Sequence, residues 1–203
     1  MKSGTKNVLI TVGIVVVVLF GGGYSCYKTS YNGMVAKDEA VQSAWAQVQN
    51  QYQRRMDLIP NLVNTVKGYA THEERVFTEI AEARAQAGGV VRVDGAMLDD
   101  PEQFRKYQQV QDSLGASLRR LLVVTENYPA LQANEQFVAL MDNLEGTENR
   151  ISVERKRYNE AVQGYNTFIR EFPRSIIANM SGFRAKSYFT AAEAAQTAPS
   201  VQF

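Results

Sequence analysis

His72-Glu73-Glu74-Arg75-Val76 begins like the helix of a zinc protease, in which two histidines one turn apart hold the metal and the glutamate between them is the base. Val76 stands where the second histidine must be, and His72 is the only histidine in the chain. That single count also removes Ser-His-Asp and Cys-His nucleophilic arrangements. Glu79 and Glu82 have no histidine near them, whereas a helical di-iron centre takes Glu-x-x-His from two helices. Cys26, the one cysteine, excludes an internal disulfide and a thiolate zinc cluster. Gly21-Gly22-Gly23 lies inside apolar sequence, not in the strand-loop-helix setting of a phosphate loop. The expectation is a chain with no catalytic, metal or cofactor residues, in which His72 serves a helix start.

The most specific polar stretch runs from Gln53 to Asn64, and Arg54, Arg55, Asp57, Pro60 and Asn61 are its candidate interaction or structural residues. On one reading it is a packing and capping unit around Pro60, with Asn61 or Asp57 answering the backbone groups that proline frees. On the other it is a contact surface for a partner protein or a second copy.

These residues ride on a heptad. Spacings of three and four pick out Tyr31, Met34, Asp38, Val41, Trp45, Val48, Tyr52, Arg55, Ile59, Leu62 and Val66. Nine of the eleven are apolar, which is the seam of a helix rather than the alternation of a strand. The pattern stays in phase across Pro60, so the proline is expected to kink this helix without ending it. A second such seam holds Phe137, Met141, Leu144, Glu148, Ile151, Arg155, Tyr158, Val162, Tyr165, Ile169 and Phe172, again nine apolar of eleven. Trp45, Tyr52, Tyr158 and Tyr165 read as core rather than as a ligand box. In an antiparallel pair, facing positions keep a constant total of residue numbers. Matching Tyr31 with Phe172 and Val66 with Phe137 places Arg55 opposite Glu148. Each interrupts an apolar seam with the charge the other requires, so a pair is expected, the competing outcome being that both snorkel to the bundle edge. Glu148 and Arg155, the charged positions of the second seam, complete the candidate set.

Between the long seams lie two shorter helices. One is expected from about Glu73 to Ala87, with Val76, Phe77, Ile80 and Ala83 on one stripe and Gly88-Gly89 as its stop. Val90 to Leu98 reads as a loop whose Val-Val-Arg-Val lacks a strand partner. Asp100-Pro101-Glu102 then carries the signals of a helix start, a capping acid followed by proline and a second acid. Phe104, Tyr107, Leu114, Leu118 and Leu121 form the stripe of that helix, and Asn127-Tyr128-Pro129 ends it.

Ahead of the first seam, no charge appears between Lys6 and Lys28, a gap of 21 residues. As a helix this covers about 30 Å, the thickness of a bilayer's hydrocarbon core. A cleaved signal peptide is disfavoured because the charge-free run continues past Gly21-Gly22-Gly23. Acylation at Cys26 is disfavoured by bulky Tyr24 two residues before it. Lys2, Lys6 and the amino group precede the span while Lys28 and Lys37 follow it, which leans towards a soluble domain outside the cytoplasm.

The architecture expected is therefore all-α: a single N-terminal transmembrane helix followed by an antiparallel up-down-up-down helical bundle with long coiled-coil-like helices. Its parts are an anchor at 1–28, a bundle at 29–173 and a tail at 174–203 that forms a short helix on the bundle before loosening. The first bundle helix is expected to continue from the anchor. With 22 Lys+Arg against 21 Asp+Glu, the chain lacks the basic excess that bulk nucleic-acid binding needs. Arg155-Lys156-Arg157 reads as a solvated helix face.

The run Ala44-Trp45-Ala46-Gln47-Val48, then Gln53-Arg54-Arg55-Met56-Asp57-Leu58-Ile59-Pro60-Asn61-Leu62-Val63, then Val66-Lys67-Gly68-Tyr69-Ala70 resembles the LemA family. Thr147-Glu148-Asn149-Arg150-Ile151, Tyr158-Asn159, Tyr165-Asn166 and Phe172-Pro173 are similar to that family's second block. The resemblance implies a bacterial protein with one N-terminal membrane helix and an antiparallel helical bundle. A member of that family takes part in building magnetosome membranes, which points to membrane organisation. The resemblance supplies no catalytic or cofactor residues. The function expected is a non-enzymatic, membrane-anchored scaffold or assembly protein of the bacterial cell envelope, in the inner membrane, self-associating as a homo-oligomer. The alternative is a regulatory or sensing accessory subunit whose bundle binds a membrane protein partner or small ligand.

Overall fold

A computed structural model describes residues 3–90 and 95–190, and every regular element among them is helical. The first helix, α1, runs unbroken over Ser3–Lys67 with Pro60 inside it, so the span and the first seam share one helix. Then come α2 at Glu74–Val90, a short 3-10 helix at Gly95–Asp99, α3 at Pro101–Thr125 and a single turn, α4, at Pro129–Gln132. The second long seam lies on α5, Glu135–Arg170, and α6 follows at Arg174–Ser181. Asp100 caps α3 as its sequence implies: one carboxylate oxygen accepts from the N–H of Glu102 at 2.9 Å and of Gln103 at 3.2 Å.

Two expectations fail locally. Gly88-Gly89 does not stop α2, which continues to Val90. Glycine weakens a helix without forbidding it, and Ala87 is fully buried, fixing the last turn. The expected loop from Val90 to Leu98 is helical at its described ends, ending α2 at Val90 and entering the 3-10 turn at Gly95. Residues 91–94, the strand-like Val-Val-Arg-Val included in part, lie outside the described residues, as do Lys2 and the end of the tail from residue 191.

The chain divides into two compact units. One comprises Met1–Ala40 and Gln163–Ala185, the other Val41–Val162 and Lys186–Phe203. In the first, Gly33 lets α1 approach α5 closely: a Cβ there would meet Cζ of Phe168 at 2.6 Å. Lys37 and Arg174 lie over the Phe168 ring at 5.3 and 4.0 Å. Tyr31 and Phe172, expected to face each other at the seam's end, are both exposed. The chain turns into α6 at Phe172, and Phe183 comes back to pack edge-on against Tyr31 at 5.6 Å.

In the second unit, Trp45 meets Tyr158 and Arg55 meets Glu148, two pairs with the same residue total, so α1 and α5 run antiparallel in the expected register. Trp45 also meets Phe104 while Arg55 meets Gln111, which makes α1 and α3 parallel. Lys67 lies over Phe77, and Arg84 reaches Met56, so α2 runs against α1. The seam positions from Val41 to Val66 on α1 are all buried. On α5 the burial includes Phe137, Leu144, Ile151, Tyr158 and Val162.

Candidate functional site

Three helices place a polar residue at the same level of the second unit's core. The Arg55 side chain is only 4% exposed. Its Nη1 donates to Glu148 Oε1 at 3.1 Å and to Oε2 at 3.4 Å. Its Nη2 donates to the Gln111 side-chain oxygen at 2.6 Å and to the Gln111 carbonyl at 3.2 Å. The guanidinium lies 5.1 Å from the centre of the Tyr52 ring. Glu148 is 41% exposed, so the pair has one buried and one wetted end. Of the two outcomes weighed from sequence, Arg55 takes the buried one and Glu148 sits at the edge.

Gln111 is the member that the sequence reading missed. The stripe on α3 steps from Tyr107 to Leu114, and position 111 is the heptad site between them. A polar residue on an apolar stripe was the signal, the same one that marked Arg55 and Glu148. Arg155, a turn and more along α5, does not join this layer. Its Nη1 donates to Asp112 Oδ1 at 3.2 Å, and it lies over the ring of Phe189 at 4.5 Å.

Pro60 frees the carbonyl of Met56, which a residue with an N–H would have bonded. The group that answers it is Arg84 on α2, whose Nε donates to the Met56 oxygen at 3.5 Å. Neither Asp57 nor Asn61 does so. Asp57, a carboxylate with nothing to donate, accepts from Gln53 Nε2 at 2.8 Å. The backbone carbonyl of Asn61 accepts from Thr65 Oγ1 at 2.9 Å. Arg54, Asp57 and Asn61 all lie on the exposed side of α1.

Ten residues from the polar layer along both α1 and α5, Trp45, Phe104, Tyr107, Tyr158 and Phe189 form an aromatic layer, with Phe104 and Phe189 4.9 Å apart. Phe189 comes from an extended strap that two carboxamides grip by its backbone. Asn159 accepts from the Phe189 N–H and donates to its carbonyl, both at 2.9 Å. Gln108 does the same to Thr190, donating at 2.8 Å and accepting at 3.2 Å. Tyr158 donates its hydroxyl to the Ser187 carbonyl at 3.0 Å, and buried Lys186 pairs with Asp99 at 2.8 Å.

Burial pushes the Tyr52 phenol up to about 12 against the downward pull of Arg155 and Arg55. Burial also raises Tyr107 and Tyr158. These hydroxyls stay protonated near neutral pH and are poorly suited to act as bases. His72 is exposed in the turn before α2. Among the described residues, no three His, Cys, Asp or Glu side chains are gathered to hold a metal. Between α3 and α5 lies a cleft of about 350 Å³ walled by Leu118, Leu122, Met141 and Leu144, with Arg119, Glu145 and Glu148 as its charged residues.

These features define an all-α protein with one N-terminal helix long and apolar enough to cross a membrane. The sequence matches the LemA family over residues 44–203, and the chain belongs to that family. It is 26% identical to the magnetosome protein MamQ 2 of Paramagnetospirillum magneticum, an alignment covering 96% of this chain and 76% of that one. With the magnetosome protein MamQ of Magnetospirillum gryphiswaldense it shares 24% identity over 93% of this chain and 74% of the relative.

Proposed function

We propose that this protein is a non-enzymatic, membrane-anchored scaffold or assembly factor of the bacterial cell envelope, and that copies of it associate. The observation that carries this reading is the unbroken helix α1. The same 65-residue element holds the apolar span and the core seam of the bundle, so the bundle is tied to the bilayer without a flexible linker of glycine and serine. That the relatives are named magnetosome proteins supports this membrane-associated reading. On this reading residues 1–28 are the anchor in the inner membrane, and the greater number of cations before the span than after it directs the bundle out of the cytoplasm. Arg54, Asp57 and Asn61, exposed on α1, form the face offered to a partner, and Arg55, Pro60, Glu148 and Arg155 hold the helices that display it.

The α3–α5 cleft favours a second reading, a regulatory or sensing accessory subunit. Its apolar walls, with Arg119 and two carboxylates beside them, suit a small ligand or a side chain of a membrane partner. Chemical crosslinking in the native membrane, followed by mass measurement, separates the two. Multiples of this chain alone support assembly, and one recurrent foreign band supports the accessory role. Monomer as the only product would overturn both.

A further inference from the structure

We propose that α6 lies in the bilayer surface, with Phe172, Ile176 and Met180 inserted among lipid acyl chains. The helix has two apolar faces. One is buried within its unit through Ile177 and Ala178. The other carries Ile176 and Met180, four residues apart and therefore in line, at 53% and 78% exposure, and Phe172 in the turn before the helix is 83% exposed. A surface helix normally turns its polar side to water, and an exposed apolar helix face with a third large apolar side chain in the turn before it calls for a cover.

The position of α6 along α1 says what that cover is. The turn that carries Phe172, Pro173 and Arg174 shares a cleft with Ser25, Cys26 and Thr29 of α1. Those residues straddle the end of the charge-free run at Lys28, which is where a bilayer crossed by α1 gives way to headgroups. Tyr24 and Tyr27 are exposed at the same level, as aromatic anchors are at a membrane–water boundary. Exposed cations lie nearby: Lys28 adjoins Thr29 of the shared cleft, and Arg170 and Arg184 line a cleft with Ser175 and Asn179 of α6, while Arg174 is paired with Glu171 and stacked on Phe168. A short apolar face with cations on the same helix turns fits an anionic lipid surface. The gain would be a second foothold that fixes the helix pair where it leaves the bilayer.

This inference rests on α1 crossing the membrane, and the test separates the two. Full-length protein in the Cys26→Ser background receives one cysteine at Val17, Val153, Ile176 or Met180, each labelled with the environment-sensitive fluorophore NBD. The proteins are reconstituted into phosphatidylcholine–phosphatidylglycerol vesicles with and without a lipid nitroxide quencher. Labels at 17, 176 and 180 should lose at least half of their emission to the quencher, and the label at 153 on α5 should keep it. Quenching at 17 but not at 176 and 180 would overturn the placement of α6 alone. No quenching at 17 would overturn the anchor as well. Vesicles of phosphatidylcholine alone should weaken quenching at 176 and 180 and leave 17 unchanged; equal quenching in both would remove the role of the cations.

Discussion

The aromatic layer and the polar layer lie ten residues apart on α1 and α5 and are held by different means. Trp45, Phe104, Tyr107, Tyr158 and Phe189 are each buried to within a few per cent and pack ring against ring, the strap's backbone being the part that hydrogen bonds hold. Such contacts supply large apolar burial but tolerate small rotations and shifts. Arg55 instead is fixed by four hydrogen bonds from two nitrogens to Gln111 and Glu148. A displaced guanidinium would leave buried donors unmatched, so this layer discriminates between registers while adding little net stability. Stability and specificity are therefore divided between two levels of the same helix pair.

The largest effect should come from the aromatic layer. Phe189→Ala should destabilise the protein by about 3–5 kcal/mol in denaturant unfolding, and release the strap that Asn159 and Gln108 grip. A loss of under about 1 kcal/mol would show that the strap is an ornament on a core complete without it. Glu148→Met should cost about 1–3 kcal/mol, because a buried guanidinium loses its counter-charge while water still reaches its edge. Near Pro60 the effect should be smaller. Arg84→Met should cost about 0.5 kcal/mol through the long bond to the Met56 carbonyl, and nothing in a Pro60→Ala background that restores the helical N–H. An equal cost in both backgrounds would mean that Arg84 acts by packing instead.

The smallest expected effect is on pH dependence. The N–H groups of Gln103 and Glu102 hold the Asp100 carboxyl below its usual range. A depressed value in the folded state stabilises above the unfolded value, about 3.9, and that contribution disappears as pH falls through the folded one. The stability difference between the native protein and Asp100→Asn should therefore narrow on acidification through this range. A constant difference would place the effect of the cap in its geometry and not its charge.

Legibility in the sequence followed the kind of contact. The long seams of α1 and α5, the cap of α3 and the Arg55–Glu148 register were readable, because each depends on side chains at fixed helical spacing. Gln111 was hidden in plain view, since counting apolar residues passes over a polar one at a seam position. The strap was not readable at all: Asn159 and Gln108 grip main-chain groups, which every residue carries alike. Arg84 was equally obscure, as a carbonyl freed by proline can be met from another helix at a separation no local pattern records. The end of α2 was misjudged because glycine's helical penalty is modest and buried Ala87 outweighs it.

The division of labour between the layers stands or falls on the coupling between Arg55 and Glu148. A double-mutant cycle with Arg55→Met, Glu148→Met and both, measured by denaturant unfolding of the full chain, isolates it. We predict a coupling energy of about 0.5–3 kcal/mol and a double variant more stable than the Glu148→Met single variant, since the buried charge is gone. Additive single effects, with the double variant the least stable of the set, would contradict the assignment of register to this pair.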